Sequence, residues 1–216
     1  MNPMTIEILV LAGIALFLVL RLRSVLGTRG GFEDPQSTAS TSKRSPDLQV
    51  IDGGPDTDIT DHVDSDSEMA EKLGAIKRVD PDFSLTEFLG GASSAYEMIL
   101  MSFERGDIEE TRAYLSDDVA NTFEMVIHER ADRGINIEAE FAGIREMKMQ
   151  AVVFDTSSNM ADLTVMFIGE LISVVKDADG DIVEGDPKQV KRQKDIWTFS
   201  KDMGSNDPNW RLVATD

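Results

Sequence analysis

Hydrophobic and polar positions divide the 216-residue chain into three stretches of different character. From Ile8 to Leu20 every residue is apolar or glycine (ILVLAGIALFLVL), so no face is left for water and an amphipathic surface helix is excluded. Extended to residues 4–26, the run reaches about 33 Å at ~1.5 Å per residue, which predicts a single transmembrane helix. From residue 27 to 80 the composition turns to Ser, Thr, Gly, Pro and Asp with scattered apolar residues and no sustained period. That predicts a disordered acidic linker, spanning roughly 40 Å end to end as a flexible chain. His62 falls in it and reads as a solvated linker residue.

Regular patterning resumes in residues 81–216. Ser84 followed by Glu87 fits a capping box, after which Phe88, Ala92, Tyr96, Ile99 and Phe103 recur at helical spacing as far as Gly106. Asp107 with Glu110 predicts a second, short helix through Leu115. Ser116 starts a third, with Val119, Phe123, Val126 and Ile127 on one face and Gly134 as its stop. The period then changes to two. Ile135, Ile137, Ala139 and Phe141, then Met147, Met149, Ala151 and Val153, alternate with polar residues around a bend at Gly143. Met160 to Lys176 reads as a second strand apolar on both faces, VKDADGDIVEG as a turn, Val190 to Lys201 as a third strand and NWRLVAT as a fourth. Helices followed by an antiparallel meander predict an α+β domain, three N-terminal helices packed on a curved antiparallel sheet of about four strands.

Charge refines the picture. The chain carries 21 Lys and Arg against 40 Asp and Glu, a formal net charge of −19, which disfavours a general nucleic-acid footprint and broad docking on anionic lipid. Glu7 precedes the apolar run while Arg21, Arg23 and Arg29 follow it, the reverse of a secretory signal. By the positive-inside rule these arginines set the topology of an uncleaved single-span anchor, N-terminus outside and C-terminal domain cytoplasmic.

Little in the sequence points to catalysis. The absence of cysteine removes thiol chemistry and cysteine-based zinc sites, and only His62 and His128 are present. DADGD (Asp177 to Asp181) departs from an EF-hand loop, which would need glycine at Ile182 and glutamate at Lys188. Glu170 and His128 are the best general-base candidates, but an ion pair for the first and a helix C-terminus for the second account for them without chemistry. The sequence therefore gives no catalytic residue, no metal ligand and no cofactor site. Lys188, Lys191, Arg192 and Lys194 form a basic cluster (PKQVKRQK), read either as a solvated strand or as a contact for a protein partner or lipid headgroup. Trp197 and Trp210 stand at a spacing that predicts proximity across a hairpin, with core packing the default for both.

The segments FLGGASSAYEMILMSFERGD, DADGDIVEGDP and IWTFSKD…SNDPNWRLVATD, together with RLRSVLGTR after one apolar span, resemble the Tim-forty-four-like domain family and its alphaproteobacterial members in particular. The resemblance implies a cone-shaped fold of the nuclear-transport-factor-two type, a large apolar pocket, no catalysis, and protein partners at an inner membrane, with a role in protein translocation or membrane biogenesis. In mitochondrial members the first helices of the domain contact lipid. The positions matched here, Ser84 to Arg105, hold Glu87, Glu97 and Glu104 against Arg105 alone. The alternative left open is a cone domain that binds a small apolar ligand or acts as an isomerase or dehydratase.

Overall fold

The computed structural model describes residues 56–216. The expected anchor, residues 4–26, and its arginines Arg21, Arg23 and Arg29 lie outside the described residues, as does the linker up to residue 55. No helix among the described residues is long and apolar enough to cross a membrane.

Part of the stretch whose polar composition suggests disorder is ordered. A one-turn helix α1 (Thr57–Thr60) and a three-turn helix α2 (Glu68–Val79) occupy ground expected to be disordered. Ser67 caps α2 by accepting the Ala70 N–H, Glu68 and Glu71 fill its first turn, and Lys77 and Arg78 fill its last, each favourable against the helix dipole. Leu73 and Ile76 are fully buried, and Ile59 and Val63 join the same core. Burial of an aliphatic side chain contributes about 1.5–3 kcal/mol, enough for four of them to hold a short polar segment down. Residues 56–80 are therefore part of the folded domain and not of a disordered linker reaching to 80. His62 belongs to this ordered strap, and its Nε2 lies 3.0 Å from Thr86 Oγ1.

Helix α3 (Leu85–Arg105) follows, capped by Ser84 and buried along Phe88, Ala92, Tyr96 and Ile99 as its period predicts. It ends where Gly106 takes φ 75°, a left-handed conformation that glycine adopts without strain, and Asp107 N–H closes back on Ser102 O. The expected second helix is only a 3-10 turn at Arg112–Tyr114. Asp107 there accepts the Glu109 N–H, and Thr111 is buried with its hydroxyl donating to Ile108 O, so local side-chain bonds replace the helical ladder. Helix α4 (Asp117–Asp132) is capped by Ser116, whose own N–H donates to Leu212 O and ties the helix start to the last strand.

The sheet has five antiparallel strands: β1 (Asn136–Asp155), β2 (Met160–Lys176), β3 (Ile182–Gly185), β4 (Lys191–Asp202) and β5 (Arg211–Thr215). Their order is β1-β2-β4-β5, with β3 paired to the end of β2. β3 arises from the stretch read as a plain turn. The DADGD loop before it is closed by Asp177, which accepts N–H groups from Asp179 and Asp181. Irregularities at Phe141/Gly143, Ile144/Glu146 and Met149/Ala151 interrupt the β1–β2 ladder, and bulges of this kind bend the strand. Helix α3 packs across β1, placing its aromatic stripe on one face of the sheet. The tryptophans serve different neighbours. Trp197 packs on Tyr96, Phe167 and Phe199, while Trp210 packs on Phe83 and Phe88.

Candidate functional site

Along β4, side chains alternate between the two faces of the sheet, and this divides the basic cluster. Trp197 and Phe199 point into the core, so Arg192, Lys194, Ile196 and Thr198 take the outer face. Arg192 stands opposite Glu170 of β2, and Lys194 opposite Ile168. Glu170 Oε1 accepts from Arg192 Nε at 2.8 Å and lies 3.7 Å from the Arg145 guanidinium, which stands in the β1 irregularity. The Arg192 hydrogen bond, helped by Arg145, holds the Glu170 carboxyl below the usual carboxylate range. Glu170 is thus an ion-pair residue at the surface. Lys188 lies in the exposed turn before the strand, and Lys191 turns toward Glu184 at 3.8 Å. Two of the four expected residues, Arg192 and Lys194, come together, and Arg145 joins them from β1. Arg145 was missed because nothing in GIREMK signals that a bulge brings it to the Glu170 row.

The other candidate base is also a surface group. The His128 side chain is 80% exposed on α4, with Asp132 3.6 Å away one turn on.

The inner face holds polar groups that the pattern did not reveal. Tyr96 of α3 stacks on Phe167 at 4.4 Å and donates its hydroxyl to Asp195 Oδ2 at 2.5 Å, while Gln193 Nε2 donates to the same oxygen at 2.8 Å. Burial, then the carboxylate of Asp195, pushes the Tyr96 phenol well above its ordinary value, so it stays a proton donor. Gly169 makes this possible, since a Cβ there would stand 2.4 Å from the Tyr96 hydroxyl. Farther along α3, Glu104 is raised by burial, lowered by Arg130 and raised again by Asp195. The Arg130 guanidinium sits 4.3 Å over the Phe103 ring and donates to the Phe103 carbonyl. Asp195 was in principle legible, because it shares the inward phase of Trp197 and Phe199 in DIWTF.

In chemical terms the inner cluster is a proton donor held against a carboxylate, with rings of Phe141, Phe167 and Trp197 packed around Tyr96. Those rings pack directly against the Tyr96 ring. Two surface grooves lie elsewhere. One of about 430 Å³ is lined by Lys201, Asp202, Asp207 and Arg211, the other, of about 580 Å³, by Asp61, His62, Asp64 and Lys148. Both are lined by charges of the two signs. The outer face offers something different, an exposed guanidinium pair and an amine beside apolar side chains, suited to contact rather than to chemistry.

The chain matches the Tim44-like domain over residues 69–216. It is 25% identical over 160 residues to the rat mitochondrial import inner membrane translocase subunit TIM44, covering 73% of this chain and 35% of the relative. It is 27% identical over 153 residues to the probable mitochondrial import inner membrane translocase subunit tin-44 of Caenorhabditis elegans, covering 68% and 35%. The chain therefore matches about a third of the length of these relatives. Among solved structures, a ketosteroid isomerase-like protein from Erwinia carotovora atroseptica is 15% identical with a TM-score of 0.33, covering 59% of this chain and 92% of that one, a likeness too low to bear on the fold. The match begins inside α2 and so takes in most of Glu68–Val79 as well as Leu85–Arg105. Residues 69–216 span nearly all of the ordered helices and the whole sheet, and the chain belongs to the Tim44-like domain family.

Proposed function

We propose that this chain is a non-enzymatic, membrane-linked protein-binding subunit that works in protein translocation or membrane biogenesis. The observation that carries the reading is the Tim44-like match across the ordered domain, with relatives named as subunits of an inner membrane translocase. A curved antiparallel sheet crossed by α3 fits the cone fold of the nuclear-transport-factor-two type. An inner face packed with aromatic rings suits a scaffold better than an enzyme. The apolar run at 4–26, followed by Arg21, Arg23 and Arg29, supports a single-pass anchor with the domain on the cytoplasmic side of a bacterial inner membrane. A tether of this kind raises local concentration, so that weak contacts at the membrane become occupied.

The test is crosslinking of the full chain in native membranes, with partners identified by mass spectrometry. Crosslinks to components of a translocation or membrane-insertion complex are expected, and a chain that crosslinks to none of them contradicts the reading. Deleting residues 1–24 should release the domain from membranes; a truncated chain that stays bound removes the anchor from the account.

One observation favours a small-ligand or isomerase-like reading, the Tyr96–Asp195 pair on the inner face. Under that reading Asp195→Asn abolishes binding of an apolar carbonyl ligand. Under the scaffold reading no such binding exists to abolish.

A further inference from the structure

The outer face of the sheet sets bases around an apolar strip in a domain that is otherwise acidic. The first 55 residues hold five acids and five bases, so the whole excess of acid belongs to residues 56–216. Against that background Arg145, Arg192 and Lys194 converge on the Glu170 row. Glu170 neutralises one of them, and Glu146 faces Ile168 from β1. The Arg145 and Arg192 side chains remain 57% and 60% exposed, and Lys194 has no ion-pair partner among the described residues. Beside them the half-buried Ile196 and Ile168 flank Met166, which stands opposite Ile196 and is itself buried. Lys148 completes the Met166 row at the β1 edge, near Asp61 and Asp64 of the α1–α2 loop.

We infer that this face docks an acidic amphipathic segment of a partner protein, its carboxylates over Arg145, Arg192 and Lys194 and its apolar side chains over the half-buried Ile168 and Ile196. The inference deepens the protein-binding reading above and rests on it. Charge selects the occupant. A second copy of the same face would set arginine against arginine, which like charges penalise. An anionic membrane is an extended surface and meets the field of the whole acidic domain within a Debye length of about 8 Å. A narrow acidic segment meets only the patch. The bent sheet adds register, because only every second side chain of an extended partner faces the sheet, so an acidic and an apolar residue two positions apart would meet the guanidinium row and the apolar row in turn.

The experiment measures binding of the full chain to a labelled peptide carrying glutamate and leucine in turn at every second position with serine or threonine between them, to its lysine-for-glutamate counterpart, and to vesicles of phosphatidylethanolamine and phosphatidylglycerol. Binding of the acidic peptide and not of its lysine counterpart is expected, while vesicle association, which the apolar run at 4–26 supplies, should be the same in wild type and in Arg145→Gln/Lys194→Gln. The double substitution Arg145→Gln/Lys194→Gln should weaken it about tenfold, from two exposed charges of less than 1 kcal/mol each. An equal change in net charge on α2, Lys72→Gln/Arg78→Gln, should leave it within about twofold, because that helix lies outside the patch. Ile168→Thr, which keeps a β-branched strand residue, should weaken it about threefold through lost apolar contact. Lys194→Gln alone keeps the test open if the double variant unfolds.

Failure of the wild-type chain to bind the acidic peptide overturns the inference, as does equal loss in the α2 control. Vesicle binding that disappears in Arg145→Gln/Lys194→Gln reassigns the face to lipid and also overturns it. A chain that crosslinks to a translocation complex while ignoring the peptide overturns this inference alone; one that fails the crosslinking overturns the protein-binding reading itself.

Discussion

Asp58 offers the sharpest perturbation, because it lies in the segment that composition alone assigns to a linker. Its two carboxylate oxygens are both engaged. Oδ1 accepts from the Ser84 hydroxyl at 2.9 Å and from Thr86 N–H at 2.9 Å, and Oδ2 accepts from Leu85 N–H at 2.8 Å and from Lys77 Nζ at 2.8 Å. One aspartate on α1 thus caps the 21-residue helix α3 and pins α2 to it through Lys77. Loss of such a cap costs about 1–2 kcal/mol. Loss of the ion pair adds about 1 kcal/mol at most, since Lys77 keeps Asp56 at 2.7 Å. Asp58→Ala should therefore destabilise the fold by about 2–3 kcal/mol, read as a fall in Tm of about 5–10 °C for a domain of this size.

The pH dependence gives a second readout. Burial raises the Asp58 carboxyl, but the bonds from Lys77, Thr86 and Leu85 outweigh it and hold the group well below the usual carboxylate range. A carboxyl depressed in the folded state stabilises the fold above its unfolded value near pH 4, and that stability is lost as pH falls below it. Thermal unfolding of wild type and Asp58→Ala, followed by circular dichroism, should converge as pH drops from about 5 to 2. A variant melting within about 1 °C of wild type at pH 7 would refute the claim that α1 and α2 are part of the folded domain.

Other predictions follow from the inner face. Gly169→Ala forces a methyl against the Tyr96 ring and should cost about 1–3 kcal/mol in urea unfolding, with loss of near-ultraviolet dichroism from the Tyr96–Trp197 stack. Tyr96→Phe removes the hydroxyl that donates to Asp195 and should cost about 1–2 kcal/mol at neutral pH. A phenol raised in the folded state stabilises the fold below its unfolded value near pH 10, and the benefit is lost as pH climbs beyond it. Wild type should accordingly lose stability faster than Tyr96→Phe above pH ~10. Glu104 is likewise raised, chiefly by burial, so its contribution is greatest below an unfolded value near pH 4 and declines as pH rises through its folded value. Glu104→Gln should flatten that decline, measured as Tm against pH between about 4 and 7.

The strongly periodic elements were legible for a physical reason: burial of one face imposes its period on the sequence. Phe88, Ala92, Tyr96 and Ile99 announced α3, and the apolar run from Met160 to Lys176 announced β2 to the residue. Helix α2 was missed because three apolar residues, Met69, Leu73 and Ile76, suffice to bury it, and the flanking DITDHVDSDSE dilutes their i, i+4, i+7 spacing. The 3-10 turn was missed because Asp107 and Thr111 satisfy backbone and side chain locally, a choice that cap residues alone do not reveal. The outer-face cluster depended on register. Arg192 and Lys194 were visible as a basic run, but only pairing with β2 shows that Lys191 leaves it and Arg145 enters.

The central claim is that this Tim44-like domain binds protein at the membrane. Photo-crosslinking from a reactive residue placed at Ile168 in the full chain, in native membranes, tests it most directly. Specific adducts with a subunit of a translocation or insertion complex, weakened by Arg145→Gln/Lys194→Gln, are predicted. Adducts with lipid alone, together with none from exposed residues elsewhere on the domain such as Met125, would contradict it.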